Sequence, residues 1–295
     1  MDNDLISIQE ARDLSDRAYQ AWLTWSKATQ EDVDRVCQAM ADAAYEAAER
    51  LGYMAVEETG FGVPLHKKIK NQFGSRNVWE SIKNIKTVGV INHDPARKIY
   101  EIAWPIGVIA GLIPSTNPTS TVMFKILIAV KARNAIVVAP HPSAVKCCLE
   151  TARIMAAAAE RAGAPKGLIA CLQSVSLPGT QELMHHKRVA LILATGGSPM
   201  VRAAHSVGKP AYGVGPGNVP VYVDRSADIE KAARYIVASK AFDNSTICAT
   251  EQCVVADRPI ANRLKELMIR EGAYFCDEKQ TDLLRKAIFN SDASF

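Results

Sequence analysis

The sequence lacks any apolar run long enough to cross a bilayer, and it lacks the layout of a signal peptide. Its longest clean apolar run, IGVIAGLI at 106–113, is far below the roughly 20 residues that a membrane-spanning helix needs. The opening stretch MDNDLISIQEARDLS does not show the basic-then-apolar order of a secretory signal. These absences predict a cytoplasmic protein with no membrane partner.

Cysteine pairing motifs and basic runs are also missing. The seven cysteines are an odd number without a C-x-x-C pair, which argues against zinc or redox motifs and favours reduced thiols. The 35 basic and 31 acidic residues are scattered, with no basic run between aromatics, so we expect no nucleic-acid partner. His185 and His186 lack an acidic or cysteine ligand at helical spacing, so no metal site is assigned. Small molecules are the expected ligands.

The first hundred residues follow a helical pattern. After a candidate cap at Thr29, apolar positions recur at the i, i+3, i+4 spacing of an amphipathic helix. These positions are Val33, Val36, Cys37, Met40, Ala41 and Ala44. The stretch HDPARKIYEIAWP at 93–105 then predicts a polar turn followed by a short alternating strand.

From residue 106, unbroken apolar runs alternate with amphipathic helices. The runs are IGVIAGLI, AIVVA at 135–139, LIACLQ at 168–173 and VALILAT at 189–195. Unbroken apolar strands, each followed by a helix, indicate a parallel sheet that is covered on both faces. The pattern predicts an α/β fold: a doubly wound, Rossmann-like nucleotide-binding domain with a helical N-terminal lead-in.

We assign residues 1–240 to this first domain, including two further strands, AYGVG and VPVYVD, that flank a glycine turn. Residues 241–295 contain the strand QCVVAD and two helices, and they are interpreted as the start of a second α/β unit. The chain of 295 residues, 48% of them hydrophobic, is long enough for two such cores.

The loops that follow residues 113, 139 and 195 are expected to line one crevice, because open parallel sheets bind ligands at the carboxyl ends of their strands. The first loop contains Ile113, Pro114, Ser115, Thr116 and Asn117. Asn117 directly precedes a proline suited to a first helical turn, so a plain N-cap is an alternative. His141 in the second loop is a candidate contact to phosphate or ribose, with a solvated turn histidine as the alternative.

Two glycine-containing stretches are further candidates. In ATGGSPMV, Gly196 and Gly197 permit close backbone approach, Ser198 can cap, and the following helix N-terminus attracts anions; a plain turn is the alternative. In GVGPGNVP, Gly213 and Gly215 lead into a strand with proline rather than into a helix. By itself this second stretch indicates a glycine-rich turn and not a dinucleotide fingerprint.

Cys248 lies in AFDNSTICATEQ at 241–252, between two apolar segments. Most cysteines are small buried fillers, and this is the alternative for Cys248 too. The polar residues 243–246 directly before it predict a turn where a thiol is reachable and backbone amides can stabilise negative charge. This local sequence argues against a buried filler and for a reachable thiol at Cys248.

Five stretches, in this order and spacing, resemble the CoA-acylating branch of the aldehyde dehydrogenase superfamily. They are GLIPSTNPTS, ARNAIVVAPHPSA, LILATGGSPMV, GKPAYGVGPGN and FDNSTICATEQ. Within that branch they most resemble the aldehyde dehydrogenase part of bifunctional aldehyde/alcohol dehydrogenases, and the resemblance runs from about residue 5 to the end. Family catalytic domains continue beyond such a point, so the resemblance implies that 241–295 is an incomplete catalytic domain.

The resemblance implies a reversible conversion of a short aldehyde and coenzyme A into acyl-CoA, with NAD, or alternatively NADP, as cofactor. Cys248 would be the nucleophile, and the Asn117 amide and the Cys248 backbone N–H would bind the oxyanion. Residues 113–117, Gly197 and Gly215 match cofactor-contacting positions. The resemblance also implies a homo-oligomer when the full domain is present.

Two alternatives stay open, and the first is a hydrolytic aldehyde dehydrogenase. Hydrolytic members of the superfamily carry a glutamate base in an E-L-G-G motif, whereas this sequence has G-V-G-P with Gly213 at that place. Without that base, water is a poor acceptor and a thiol can take the acyl group by exchange. The second alternative is a catalytically inactive remnant that binds a cofactor or a protein partner.

Overall fold

The computed structural model describes residues 2–289, which divide after Pro216 into two compact units. This division lies earlier than the predicted boundary after residue 240. The reason is the strand VPVYVD, which pairs in parallel with the strand that follows Cys248 and is not part of the large sheet. The helix between them also packs against a later helix of the second unit.

Helices form the predicted N-terminal lead-in. They are α1 (Asn3–Trp25), α2 (Gln30–Glu46), α3 (Ala48–Thr59), α4 (Pro64–Gln72) and, after a π-helical segment (Phe73–Asn77), α5 (Val78–Ile82). The Asp32 backbone N–H donates to Thr29 Oγ1 and the Thr29 N–H to Asp32 Oδ2, both at 3.2 Å, so the predicted cap is a capping box. All six apolar positions predicted for this helix are buried.

A hairpin follows, formed by β1 (Gly89–Asp94) and β2 (Ile99–Ala103). The sequence analysis predicted only its second strand. Most residues on both strands are exposed, and for that reason β1 shows no apolar pattern that would have revealed it.

The central sheet has the predicted parallel architecture. Its strands are β3 (Val108–Leu112), β4 (Ala135–Ala139), β5 (Ile169–Cys171), β6 (Val189–Thr195) and β7 (Ala211–Val214), in the spatial order β5-β4-β3-β6-β7. The connecting helices are α6 (Pro118–Lys131), α7 (Val145–Arg161), α8 (Leu177–His185) and α9 (Ser198–His205). The chain moves outward from β3 to β5 and then returns to β6, so β3 and β6 flank the switch point where such sheets bind ligands.

The second unit consists of β8 (Val219–Val223), α10 (Ile229–Ala241), a 3₁₀ turn (Phe242–Ser245), β9 (Glu251–Ala256), α11 (Arg258–Arg270) and α12 (Glu278–Ile288). Its core is small and contains Val223, Ala233, Ile236, Leu264 and Leu267. Across residues 2–289, no helix combines the length and the hydrophobicity that a bilayer span requires.

Candidate active site

The loop after β3 lies at the switch point of the sheet. The Ile113 N–H donates to the Ala139 carbonyl at the end of β4 over 3.0 Å, which ties the ends of neighbouring strands together. Ile113 is buried, whereas Pro114 to Asn117 are partly exposed. The loop therefore presents its polar residues at the carboxyl edge of the sheet, as predicted for a cofactor-binding segment.

Asn117 occupies the N-cap position of α6, but its side chain makes no capping hydrogen bond. Its Oδ1 instead accepts a hydrogen bond from Lys70 Nζ at 2.6 Å. The interpretation of Asn117 as a plain helix cap is therefore wrong. The amide belongs to an interaction between α4 and the loop, which local sequence could not indicate.

The sequence analysis missed two buried lysines on α4. Lys67 Nζ donates to the carbonyl of Thr116, and Lys70 contacts the next residue of the loop, Asn117. Both lysine side chains are turned inward, while the apolar Leu65 and Ile69 of the same helix are exposed. Hydrophobic periodicity predicts the opposite orientation of this helix, so no local signal identifies these lysines.

A third buried lysine, Lys125 on α6, joins the two strands at the switch point. Its Nζ donates to the carbonyls of Leu112 at 2.6 Å and Leu193 at 2.7 Å, at the ends of β3 and β6. Burial lowers the pKa of Lys125 to about 7, because removal from water disfavours the charged form. Lys125 therefore links β3 to β6, and the charge of the group that does so changes near neutral pH.

His141 follows β4 and is exposed. The Ser143 N–H donates to His141 Nδ1 over 3.2 Å, and Ser143 Oγ lies 2.8 Å from the same nitrogen. Since a backbone N–H only donates, Nδ1 is an acceptor and the proton of the neutral ring is assigned to Nε2. This contact supports the solvated-turn alternative, and a cofactor contact by His141 stays a prediction.

The loop after β6 contains the predicted phosphate candidate. Gly197 is the N-cap of α9 and Ser198 is its first residue, without a side-chain capping bond, so the prediction that Ser198 caps is wrong. A Cβ on Gly196 or on Gly197 would meet neighbouring side chains only at 3.6 Å. These are ordinary van der Waals contacts, and the phosphate-binding role of this loop stays a prediction.

The end of β7 carries Gly213 and Gly215. The Gly196 N–H donates to the carbonyl of Val214 over 3.1 Å, which ties this strand end to the phosphate candidate loop. A Cβ on Gly213 would lie 2.5 Å from Val201 Cγ1 and 2.8 Å from His205 Nε2. Side chains of α9 therefore close the position at which the resemblance places the glutamate of hydrolytic members.

In the second unit, Cys248 is exposed. The three residues Asp243, Asn244 and Ser245 shortly before it have φ angles of 53°, 52° and 62°, in the left-handed region. Left-handed backbone at residues other than glycine is uncommon and tends to cluster at functional sites. The exposure of Cys248 rules out the buried-filler alternative, while its nucleophilic role stays a prediction.

A local network supports this strained turn. Asp243 is buried, and Thr246 Oγ1 donates to its backbone carbonyl at 2.6 Å and lies 2.7 Å from its Oδ2. Farther along, Thr250 Oγ1 donates to the carbonyl of Ile247 at 3.1 Å. The thiol of Cys248 is therefore carried by a turn whose backbone is fixed on both sides.

The other cysteines differ in accessibility. Cys253 and Cys276 are also exposed, whereas four cysteines are buried in the first unit, namely Cys37, Cys147, Cys148 and Cys171. Burial raises the pKa of the Cys37, Cys148 and Cys171 thiols, which keeps them protonated and unreactive. Within residues 2–289, no group of three or more His, Cys, Asp or Glu side chains is placed to hold a metal ion.

The structure brings four of the predicted regions to one edge of the first unit: the loops after β3, β4 and β6 and the end of β7. This arrangement is that of a nucleotide-binding sheet, and residues 5–273 match the aldehyde dehydrogenase family. The chain belongs to this family.

The relatives of the chain include acylating enzymes, which confirms the resemblance found in the sequence. This chain is 46% identical over 265 residues to aldehyde-alcohol dehydrogenase 2 of Entamoeba histolytica. The aligned region covers 90% of this chain and 30% of that protein. An acetylating aldehyde dehydrogenase from Geobacillus thermoglucosidasius shares 53% identity at a TM-score of 0.94, covering 98% of this chain and 64% of that one.

A more distant structure shows a ligand. It is a propionaldehyde dehydrogenase from Rhodopseudomonas palustris with bound propionyl-CoA, 30% identical at a TM-score of 0.83, covering 96% of this chain and 62% of that one. The chain thus spans about 30% of the Entamoeba relative and under two thirds of the two solved chains.

Proposed function

We propose that this chain is part of a CoA-acylating aldehyde dehydrogenase that converts a short aldehyde, NAD and coenzyme A into acyl-CoA, reversibly, through a thioester on Cys248. The single observation that carries the choice of acylation over hydrolysis is Gly213. Position 213 carries no carboxylate side chain, and Val201 and His205 fill the space that the Cβ of a larger residue there would need. Water therefore lacks the glutamate base that hydrolytic members use at this place, and a thiol acceptor is favoured.

The chemistry follows from the groups assigned. The Cys248 thiolate attacks the aldehyde carbon and forms a thiohemiacetal oxyanion. The donors that the resemblance assigns to that oxygen are the Nδ2–H of Asn117 and the backbone N–H of Cys248. Loss of one such donor typically costs about 10²- to 10³-fold in rate. Loss of hydride from the thiohemiacetal carbon to a bound nicotinamide would leave an acyl thioester on Cys248. Coenzyme A would then take the acyl group by thioester exchange, which regenerates the Cys248 thiolate.

The residues of the first unit fit a nicotinamide dinucleotide. A Cβ on Gly196 or Gly197 would meet its neighbours only at ordinary contact distance, and residues 113–117 lie at the switch point of the sheet. Residues 113–117, Gly197 and Gly215 would hold the cofactor. When bound, it supplies the acceptor for the hydride that leaves the thiohemiacetal carbon.

The test is a spectrophotometric assay with protein expressed from its whole reading frame. Aldehyde, NAD and coenzyme A are mixed with the wild type or with Cys248→Ala, and formation of reduced cofactor is followed. We expect signal that depends on coenzyme A and that is lost in Cys248→Ala, because the variant cannot form the thioester.

The other outcomes identify the alternatives. Cofactor binding without turnover in either form would establish an inactive remnant. Sustained turnover without coenzyme A, with free acid as the product, would establish a hydrolytic enzyme and refute the acylating assignment.

A further inference from the structure

Helix α4 is oriented against its own hydrophobic pattern. Leu65, Ile69 and Phe73, spaced four residues apart along α4 and the residue after it, are 52%, 50% and 65% exposed, while Lys67 and Lys70 are 1% and 7% exposed. Burying an ammonium group is unfavourable unless it finds partners, so this orientation needs a compensating reason. Breaks in local patterning of this kind are expected at functional positions.

The two ammonium groups donate to consecutive residues of the candidate cofactor loop. Lys67 Nζ donates to the Thr116 carbonyl, and Lys70 Nζ donates to Asn117 Oδ1 at 2.6 Å. An ammonium group has donors and no acceptor, so the oxygen end of the Asn117 amide must face Lys70. The Nδ2 end then points away from Lys70.

Packing around this contact restricts its movement. Asn71, also on α4, donates through Nδ2 to the Ala48 carbonyl at 2.9 Å and accepts from Thr119 Oγ1 at 2.7 Å. A Cβ on Gly74, in the π-helical segment after α4, would lie 2.8 Å from the Ser120 carbonyl oxygen. The helix, the π segment and the first turn of α6 therefore form one tightly packed junction, and π-helical segments are frequent at functional sites.

We propose that Lys70 is a positioning residue for the oxyanion contact. It fixes the rotamer of the Asn117 amide so that the N–H end, and not the oxygen end, serves the substrate oxygen. A charge-assisted hydrogen bond to Oδ1 also polarises the amide, which strengthens its N–H as a donor. The inference rests on the proposed role of Asn117, and Lys67 holds the backbone of the same loop through Thr116.

The experiment compares kcat and KM of the protein from its whole reading frame in four forms: Lys70→Met, Asn117→Ala, the double variant and Lys70→Arg. We expect Lys70→Met to lower kcat on the order of 10²-fold, approaching Asn117→Ala, with little change in KM for cofactor. The double variant should be no slower than Asn117→Ala, since Lys70 acts through that amide. Lys70→Arg should recover activity in part because it keeps the charge and the donors.

A second measurement does not depend on turnover. In protein labelled with ¹⁵N-asparagine, the side-chain amide signal of Asn117 is assigned by its loss in Asn117→Ala. We expect Lys70→Met to shift or broaden that signal. The matched control is Lys68→Met on the same helix, which removes an exposed contact to Glu49 and should leave the signal and kcat unchanged. If Lys70→Met does not fold, Lys70→Gln carries both measurements.

The outcomes separate the two claims. An additive loss in the double variant, or an unchanged Asn117 signal and kcat in Lys70→Met, would overturn the role of Lys70 and leave the proposed function in place. Full activity of Asn117→Ala would instead overturn the oxyanion role of Asn117, on which the inference rests.

Discussion

The closed space beside Gly213 leads to the sharpest prediction. In Gly213→Ala, the new Cβ would lie 2.5 Å from Val201 Cγ1 and 2.8 Å from His205 Nε2. The His205 ring is exposed and can swing away, but Val201 is β-branched and stiff within α9. Overpacking of this kind typically costs about 1–3 kcal/mol.

The assay is thermal unfolding followed by circular dichroism. For a domain of roughly 150–250 residues, each kcal/mol shifts the midpoint by about 2–4 °C, so we expect Gly213→Ala to melt roughly 2–12 °C below the wild type. The double variant Gly213→Ala/Val201→Ala should recover most of that loss, because it removes the clashing methyl groups.

Gly215→Ala is the matched control. Its Cβ would meet Val201 Cγ2 only at 4.0 Å, an ordinary contact, so its midpoint should stay close to that of the wild type. A Gly213→Ala midpoint equal to that of the wild type, or a double variant no more stable than the single one, would refute the steric argument. The same argument predicts that Gly213→Glu alone does not create CoA-independent turnover, because the clash displaces the new carboxylate.

Three further predictions concern single groups. Between the folded pKa of Lys125, about 7, and its ordinary value of 10.5, the unfolded chain binds more protons. The free energy of unfolding should therefore rise with pH through that window, and urea titrations of Lys125→Met should show a smaller rise; equal slopes in both proteins would contradict the burial effect. Iodoacetamide should label three of the seven cysteines in the native chain, two in Cys248→Ala and all seven in urea, as counted by mass spectrometry; rapid labelling of the buried four would contradict the packing. Thr29→Ala should lower the free energy of unfolding by about 1 kcal/mol in urea titration, since it breaks the capping box; Thr29→Ser, which keeps the hydroxyl, should match the wild type.

Local sequence was sufficient for most of the fold. The unbroken apolar runs marked β3 to β6. In β3 and β4 every residue is buried, and strands covered on both faces favour apolar residues at every position. The six apolar positions of α2 and the cap at Thr29 followed from helical periodicity and backbone capping. The family also followed from sequence, since five ordered motifs were enough to indicate it.

Tertiary structure decided what depends on distant partners. The strand beginning at Val219 belongs with β9 rather than with the central sheet, which moved the division of the chain to Pro216. Gly213 is closed by α9, although nothing in its own stretch indicates a neighbour. Lys67 and Lys70 face inward because their acceptors lie more than forty residues further along the chain, at Thr116 and Asn117. Hydrophobic periodicity predicts which side chains avoid water. It does not predict which oxygen, distant in sequence, accepts a hydrogen bond from a buried ammonium group.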